Sequence, residues 1–465
     1  MIQKLGTTFT DLFIKFMPSA YVFALLLTLI TALLAFFWAN ASFFTILDAW
    51  YDGFWTLLAF GMQIVLIIVS ASCLAQSNIF RYLIEKLIKH IKTPLQVYLS
   101  VFIFGSLVCL LSFGMAAVCA IFARELASRV KGVNYPFLIA CVYASLGSWV
   151  TGASSSIALL LNTPDNFLIK TGVLSQIIPT TQTLGSTLNI SMLIVILFVS
   201  PIVFLILRPK SAKNKELDDL LLEEKPQEQI SIKLEAESYK LPFKATSDLF
   251  NNTNWIQDLV ALCGLIYIVS YFYEGGFNLN FNIIIFAFLM IGLLLHRTPM
   301  RYTIAMKRAS QNISGILFQY PFYAGIMGII LYSGLGDKIG EVQSAMATLN
   351  NYPLMAYISG GIVNFAIPSA GGEFAVIGPN IIQVVQDLGT DLPTEEVQAM
   401  IAKASMSIAY GESLSNMLQP FYLLLILPVM AKGIRIQARD IMGYLVIPFI
   451  VFFIIQSALI LWIPL

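Results

Sequence analysis

Charge is scarce in this chain. Asp, Glu, Lys and Arg make up 11% of its 465 residues, less than half of the roughly 25% usual in soluble domains, which excludes an ordinary water-soluble fold. Histidine is rarer still, with His90 and His296 alone, and both fall at the ends of apolar runs. Without H-E-x-x-H or G-x-S-x-G the signatures of zinc and serine hydrolases are missing. Cys73, Cys109, Cys119, Cys141 and Cys263 lie inside apolar runs and form no C-x-x-C pair, so they read as small core residues rather than a redox or metal centre. A formal net charge of +1 without a basic stripe gives nucleic acid no electrostatic footprint.

What is present is apolar. The chain is 58% hydrophobic with a mean hydropathy of +0.80, and its apolar residues come in runs of about 20, the length that crosses about 30 Å of hydrocarbon. The composition therefore predicts an all-α polytopic membrane protein. The first run, Pro18 to Trp38, precedes Ala39-Asn40-Ala41, which resembles a signal-cleavage site. The run is too long for a signal core, with only Lys4 and Lys15 upstream, so it reads as a retained span. Full-length spans are expected at 18–38, 54–76, 137–160, 188–207, 256–273, 279–296, 313–335, 399–430 and 442–463.

Two further apolar stretches, 94–128 and 352–386, are interrupted by Ser112-Phe113-Gly114 and by Pro368-Ser369-Ala370-Gly371-Gly372. Arms of about 12 to 17 residues are too short to cross without strong mismatch. Both stretches are expected to be re-entrant helical hairpins, with tips buried in protein or lining a cavity. With the N-terminus cytoplasmic, this layout puts all but Lys170, Lys338 and Lys403 of the 27 Lys and Arg residues on the cytoplasmic side, as the positive-inside rule requires. It sends the first hairpin in from the cytoplasm and the second from outside, and it leaves the C-terminus external.

The chain thus divides into a first membrane repeat, 1–207, a charged cytoplasmic linker, 208–254, and an inverted second repeat, 255–465. Pro94 matches Pro353, Gly105 matches Gly361 and Gly147 matches Gly411. The second half has one extra span before its hairpin. The linker, with 17 charged residues, is expected to be partly helical around Leu217 to Glu224 and otherwise mobile. Met1 to Phe16 and Ile79 to Ile91 have the spacing of interfacial amphipathic helices.

Interrupted hydrophobic segments at matching places in two halves point to the substrate site of a secondary transporter. Each half has a second polar break, Thr151-Gly152-Ala153-Ser154-Ser155-Ser156 in the first and Gly411-Glu412-Ser413-Leu414-Ser415-Asn416 in the second. Glu412 falls near the bilayer midplane, where an ionised carboxylate is costly. It is either a protonated group bonded to a neighbouring helix or a group coupling transport to H⁺ or Na⁺. Glu373 follows the second tip and faces a substrate cavity or an external vestibule. Ser369, Gly371 and Gly372 permit close backbone approach and would offer amide groups and a helix dipole to an anion, or they serve plain helix packing. Ser112, Gly114, Thr151, Gly152, Ser154 and Ser155 offer the same chemistry from the cytoplasmic side, unless their hydroxyls bond back to their own helix. Asn364, Ser415 and Asn416 complete the polar set, and Phe113, Trp149 and Phe374 would form apolar walls. No Lys or Arg lies at either tip, so dipoles and hydroxyls would hold a substrate anion.

At these residues the chain resembles the short-chain fatty acid transporter family. The likeness runs nearly end to end, through Asp52-Gly53-Phe54-Trp55, Tyr135-Pro136-Phe137-Leu138, His296-Arg297-Thr298-Pro299-Met300, Phe318-Gln319-Tyr320-Pro321, Asn364-Phe365-Ala366-Ile367-Pro368-Ser369, Ala409-Tyr410-Gly411-Glu412 with Asn416, Gln419 and Pro420, and Asp440-Ile441-Met442-Gly443-Tyr444. The resemblance implies uptake of small monocarboxylates such as butyrate or acetoacetate across a bacterial inner membrane. It also implies membership of the ion-transporter superfamily, with a homodimeric scaffold, a moving hairpin domain and no cofactor beyond a co-transported ion. Glu373 departs from the family pattern, which has a neutral side chain or histidine there, as does Ser112-Phe113 at the first tip. Other readings are a superfamily carrier of dicarboxylates or other organic anions, a channel, and an intramembrane enzyme, for which no nucleophile and base can be placed.

Overall fold

A computed structural model describes residues 20–56, 58–163, 166–170, 172–222, 231–243, 245–275, 281–311, 313–365, 367, 370–419 and 422–463. Its first half runs α1 (Ala20–Phe37), α2 (Phe43–Thr56), α3 (Leu58–Ala75), α4 (Asn78–Ile88), α5 (Pro94–Leu111), α6 (Ala116–Arg129), α7 (Tyr135–Leu146), α8 (Ser156–Leu161) and α9 (Thr187–Leu207). After α10 (Ile232–Ser238) come α11 (Trp255–Gly275), α12 (Phe281–His296), α13 (Pro299–Ser310), α14 (Ser314–Tyr332), α15 (Leu335–Met346), α16 (Tyr352–Val363), α17 (Ala370–Leu388), α18 (Thr394–Ser415), α19 (Leu423–Met430) and α20 (Val446–Trp462). Among the described residues the sole extended pairing is one antiparallel bridge, Leu221 with Ile434. Among the described residues, four helical segments, Pro94–Leu111, Tyr135–Leu161, Thr187–Leu207 and Thr246–Glu274, are long and apolar enough to cross a membrane. Large apolar side chains such as Phe37, Phe198, Ile206 and Trp462 are exposed, which suits a multi-pass membrane protein whose outer surface meets lipid.

Helix starts follow local chemistry. The Thr93 hydroxyl accepts from Gln96 N, the Gln96 side chain accepts from Thr93 N, and Pro94 opens α5. This capping box satisfies amide groups that a helix N-terminus leaves unpaired. Asn134 caps α7 by accepting from Phe137 N, while its own N–H donates to the Tyr98 hydroxyl on α5.

The interruptions differ from the sequence expectation in three places. α5 has 18 residues and α17 has 19, longer than the expected arms, and α5 is by length able to cross. In α17 the reason is that Gly371 and Gly372 lie inside the first helical turn rather than in the tip. In the second half, α18 continues helically through Gly411 to Ser415 and becomes a tight three-residue turn at Asn416–Leu418 before extended Gln419. The break is therefore one to two turns later than Gly411.

Glycine at 411 serves packing instead. A methyl group there would meet the Tyr357 carbonyl oxygen at 1.9 Å, and one at Gly360 would meet the Ile408 oxygen at 2.6 Å. α16 and α18 thus touch backbone to backbone, as small residues allow in membranes. The first half pairs α5 with α7, where Gly105 lies against the side chain of Ser145 rather than its backbone. α2 and α14 meet at Gly53 and Gly328, where an added methyl on Gly53 would stand 2.5 Å from the Gly328 Cα.

The linker is docked at two points. Lys215 O accepts from Tyr135 N, Leu222 N donates to Gly433 O, and Leu217 is buried. Farther on, Ile232 and Ala236 of α10 are buried against Tyr302 and Ala305 of α13, with an ion pair between Glu235 and Arg308. The expected N-terminal interfacial helix, Met1 to Phe16, lies outside the described residues.

Candidate functional site

Two interrupted helices cross here. The first runs as α7, tightens at Gly147–Thr151, opens at Gly152 to Ser155 and resumes as α8. The second runs as α18, tightens at Asn416–Leu418 and resumes as α19. Where they meet, the Ser413 hydroxyl donates to Gly147 O at 2.9 Å and the Tyr143 phenol donates to Asn416 O at 2.7 Å. Trp149 Nε1 donates to the Tyr422 hydroxyl at 2.8 Å, and the Phe113 ring stands 4.7 Å from that of Tyr422. The Phe113 and Trp149 rings stand 6.1 Å apart, whereas Phe374 is wholly buried under Gly378 of its own helix.

The second-half polar set forms one network. Asn364 Nδ2 donates to Glu412 O at 3.0 Å and to Ser415 Oγ at 2.7 Å. Ser415 Oγ and Asn416 Nδ2 also donate to Glu412 O, and Asn416 Nδ2 reaches the Tyr422 hydroxyl. Gln419 Nε2 donates to Asn416 Oδ1 and Asn364 O. The polar side chains therefore rebuild the hydrogen bonds that an interrupted helix loses, as any non-helical backbone at membrane depth requires.

The first-half set lies against the end of α5. Ala153 N donates to Leu110 O at 2.8 Å, Ser154 Oγ to Cys109 O at 3.0 Å, and Thr151 Oγ1 to Ser148 O at 2.9 Å. A methyl group on Gly152 would meet Leu110 O at 2.4 Å. The Thr151 hydroxyl thus bonds back to its own helix, that of Ser154 reaches the end of α5, and Ser155 Oγ is buried without a hydrogen-bond partner. Ser112 is buried at the end of α5, and Gly114 lies in the single tight turn Phe113–Met115 that joins α5 to α6.

Glu373 and Glu412 are 0% and 2% exposed. This excludes a solvated rim position for Glu373. Both Glu373 carboxylate oxygens, Glu412 Oε2 and Asn364 Oδ1 are buried without a hydrogen-bond donor. Glu373 stands on α17 and Glu412 on α18, and these two helices pack against each other. Among the described residues the ion pairs are Arg129–Glu125, Arg308–Glu235 and Lys338–Glu341, so neither acid has a basic partner there. Gly371 and Gly372 lie beside Glu373 in the first turn of α17. Ser369 lies outside the described residues.

Sequence reasoning missed Tyr143, Asn189, Tyr410 and Tyr422. Tyr410 OH donates to Asn189 Oδ1, and Asn189 Nδ2 to Thr151 O, which joins α18 to α9 and to the first break. Each sits within an apolar run, and the one available signal was a polar side chain recurring within a turn or two of a break.

A family profile described as "Short chain fatty acid transporter" matches residues 1–463. The chain belongs to that family. It is a family of transporters, and this member is not an enzyme. Two curated relatives carry the name "Putative short-chain fatty acid transporter". One, from Escherichia coli (strain K12), is 37% identical over 96% of each chain, and one from Haemophilus influenzae is 34% identical over 96% of each. Among solved structures, the Alcanivorax borkumensis YdaH transporter aligns over 99% of this chain and 98% of its own, at 14% identity and a TM-score of 0.49. So distant a likeness carries no argument.

Proposed function

We propose that this family member is a secondary active symporter that takes up short-chain monocarboxylates such as butyrate or acetoacetate across a bacterial inner membrane, coupled to H⁺ or Na⁺. The observation that carries the reading is the crossing of two interrupted helices beside two buried acids without basic partners, in a chain whose relatives bear the names of short-chain fatty acid transporters. Intramembrane acids without a structural partner mark ion or substrate pathways by default.

The layout follows from the same reading. Nine spans and two oppositely entering hairpins, α5–α6 and α16–α17, make inverted repeats 1–207 and 255–465 around linker 208–254, with a cytoplasmic N-terminus and external C-terminus. The like pairing of α5 with α7 and of α16 with α18 supports the repeat. The length of α5 stands against short arms, so its hairpin requires tilt or local thickening of the bilayer. Substrate binds near Ser155 and the start of α17, whose amide groups and dipole favour a carboxylate. The hairpins and broken helices then move against α1, α2, α11, α12 and α14, which act as scaffold and as the surface of a homodimer.

Counterflow tests the substrate class. Proteoliposomes preloaded with unlabelled butyrate are expected to take up external labelled butyrate faster than protein-free vesicles, with no competition from succinate. Competition by succinate, with butyrate inert, would move the assignment to a dicarboxylate carrier.

A further inference from the structure

The reading above leaves the coupling ion open between H⁺ and Na⁺, and the buried oxygens separate the two. A sodium ion buried in protein takes its oxygens from carboxylates and from carbonyls freed where helices are interrupted. Among the described residues here, several of those carbonyls already accept hydrogen bonds. Glu412 O accepts from Asn364, Ser415 and Asn416, and Asn364 O accepts from Gln419. Asn416 O and Gln419 O accept from Tyr143, and Gly147 O accepts from Ser413. On the side of the first break, Cys109 O and Leu110 O accept from Ser154 and Ala153.

What lacks a partner is of another kind. Glu373 Oε1 and Oε2, Glu412 Oε2 and Asn364 Oδ1 are buried acceptors without donors, in side chains that are 0% to 2% exposed. An acceptor can be satisfied by a proton placed on its neighbour. A carboxyl group protonated on one oxygen turns from a pure acceptor into a donor, so protons bound by the two acids supply the missing donors without further ligands. Two like charges in a shared buried site also disfavour joint ionisation.

We infer that Glu373 and Glu412 form one proton-loading pair and that the coupling ion of this transporter is H⁺. The inference rests on the symport reading and specifies it. The reaction is protonation alone, with carboxylate plus H⁺ giving the carboxylic acid, reversed on the other side of the membrane. Glu373 also supplies the coupling. It lies in the first turn of α17, where its ionised side chain would occupy the positive end of the helix dipole. Protonation frees that end for the carboxylate of the substrate, so proton and anion load together. The other titratable groups around the pair are the phenols of Tyr143 on α7, Tyr357 on α16, Tyr410 on α18 and Tyr422 before α19, and the Cys109 thiol on α5. The nearest charged groups along the two helices are more than two turns away: Lys403 in the middle of α18, whose ammonium donates to Ile463 O, and Asp387 near the end of α17.

The test needs no substrate, so its failure is separate from a failure of the monocarboxylate assignment. Infrared difference spectra of the purified full-length protein in lipid, titrated through neutral pH, are expected to show the C=O stretch of a protonated carboxylic acid. Glu373→Gln and Glu412→Gln should each remove or shift it. Replacing choline chloride by sodium chloride at constant ionic strength should leave the band and the melting temperature of the wild-type protein unchanged. Absence of the band near neutral pH, or its loss together with a saturable rise in melting temperature on adding Na⁺, would overturn the inference in the wild-type protein alone, whether or not the variants fold.

Discussion

The phenol of Tyr143, on the first interrupted helix, donates to the backbone carbonyl of Asn416 on the second at 2.7 Å and also to that of Gln419. One hydroxyl from the first half thus shares its proton between two carbonyls at the break in the second half. The halves are held together at the point where each is weakest.

Tyr143→Phe keeps the ring and removes the donor to Gln419 O, while Asn416 O keeps the N–H of Gln419. Leaving a buried polar group unsatisfied costs about 1–3 kcal/mol. We expect a lower melting temperature in detergent and slower butyrate counterflow, whereas an unchanged melting curve would show that the contact is not structural.

Gly411→Ala and Gly361→Ala should diverge although both add one methyl to the same interface. At Gly411 the methyl meets the Tyr357 oxygen at 1.9 Å, and at Gly361 the nearest atom is the Gly411 oxygen at 3.4 Å. Overpacking typically costs about 1–3 kcal/mol, so Gly411→Ala should reduce folded yield or melting temperature while Gly361→Ala stays near wild type. Size-exclusion profiles and thermal melts of the two variants check the order.

Arg124 ties the first hairpin to the second broken helix. Its guanidinium donates to the carbonyls of Val429, Met430 and Lys432 at and just past the end of α19, at 2.6, 3.0 and 2.5 Å, and Met430 O accepts from the Tyr135 phenol as well. A lysine ammonium lacks the planar fork that reaches three such acceptors. Arg124→Lys is therefore expected to fail to rescue: its melting temperature should lie closer to Arg124→Ala than to wild type.

Glu412→Gln removes a proton-binding group but no hydrogen bond to Oε2, since that atom has no donor. The variant should fold as wild type and continue to exchange butyrate by counterflow. It should lose accumulation driven by an ion gradient. Normal gradient-driven accumulation would remove Glu412 from coupling.

Much of the fold was legible because lipid imposes long apolar runs with polar residues only where backbone is interrupted. The run around Ser154 shows this well, since Gly152 and the serines mark a real opening between Thr151 and Ser156. The displacement of the second break from Gly411 to Gln419 was not legible. A glycine that opens a helix and a glycine that lets two helices touch look alike in sequence, and the Tyr357 carbonyl that decides between them lies 54 positions away in the chain. The same ambiguity put Gly371 and Gly372 in a tip rather than in the first turn of α17. Glu412 stood out as a lone midplane acid, but the full burial of Glu373 depends on how α17 packs beside α18. Tyr143 and Tyr422 were hidden by their apolar surroundings, since nothing local separates a core tyrosine from one that replaces lost backbone hydrogen bonds.

The most direct measurement is uptake of radiolabelled butyrate into proteoliposomes under an imposed pH gradient and, separately, an imposed Na⁺ gradient. Protein-free vesicles must run alongside, because the undissociated acid crosses bilayers unaided. The account predicts saturable, protein-dependent accumulation that follows the inward H⁺ gradient and ignores Na⁺. Uptake no greater than in protein-free vesicles under both gradients would contradict monocarboxylate symport.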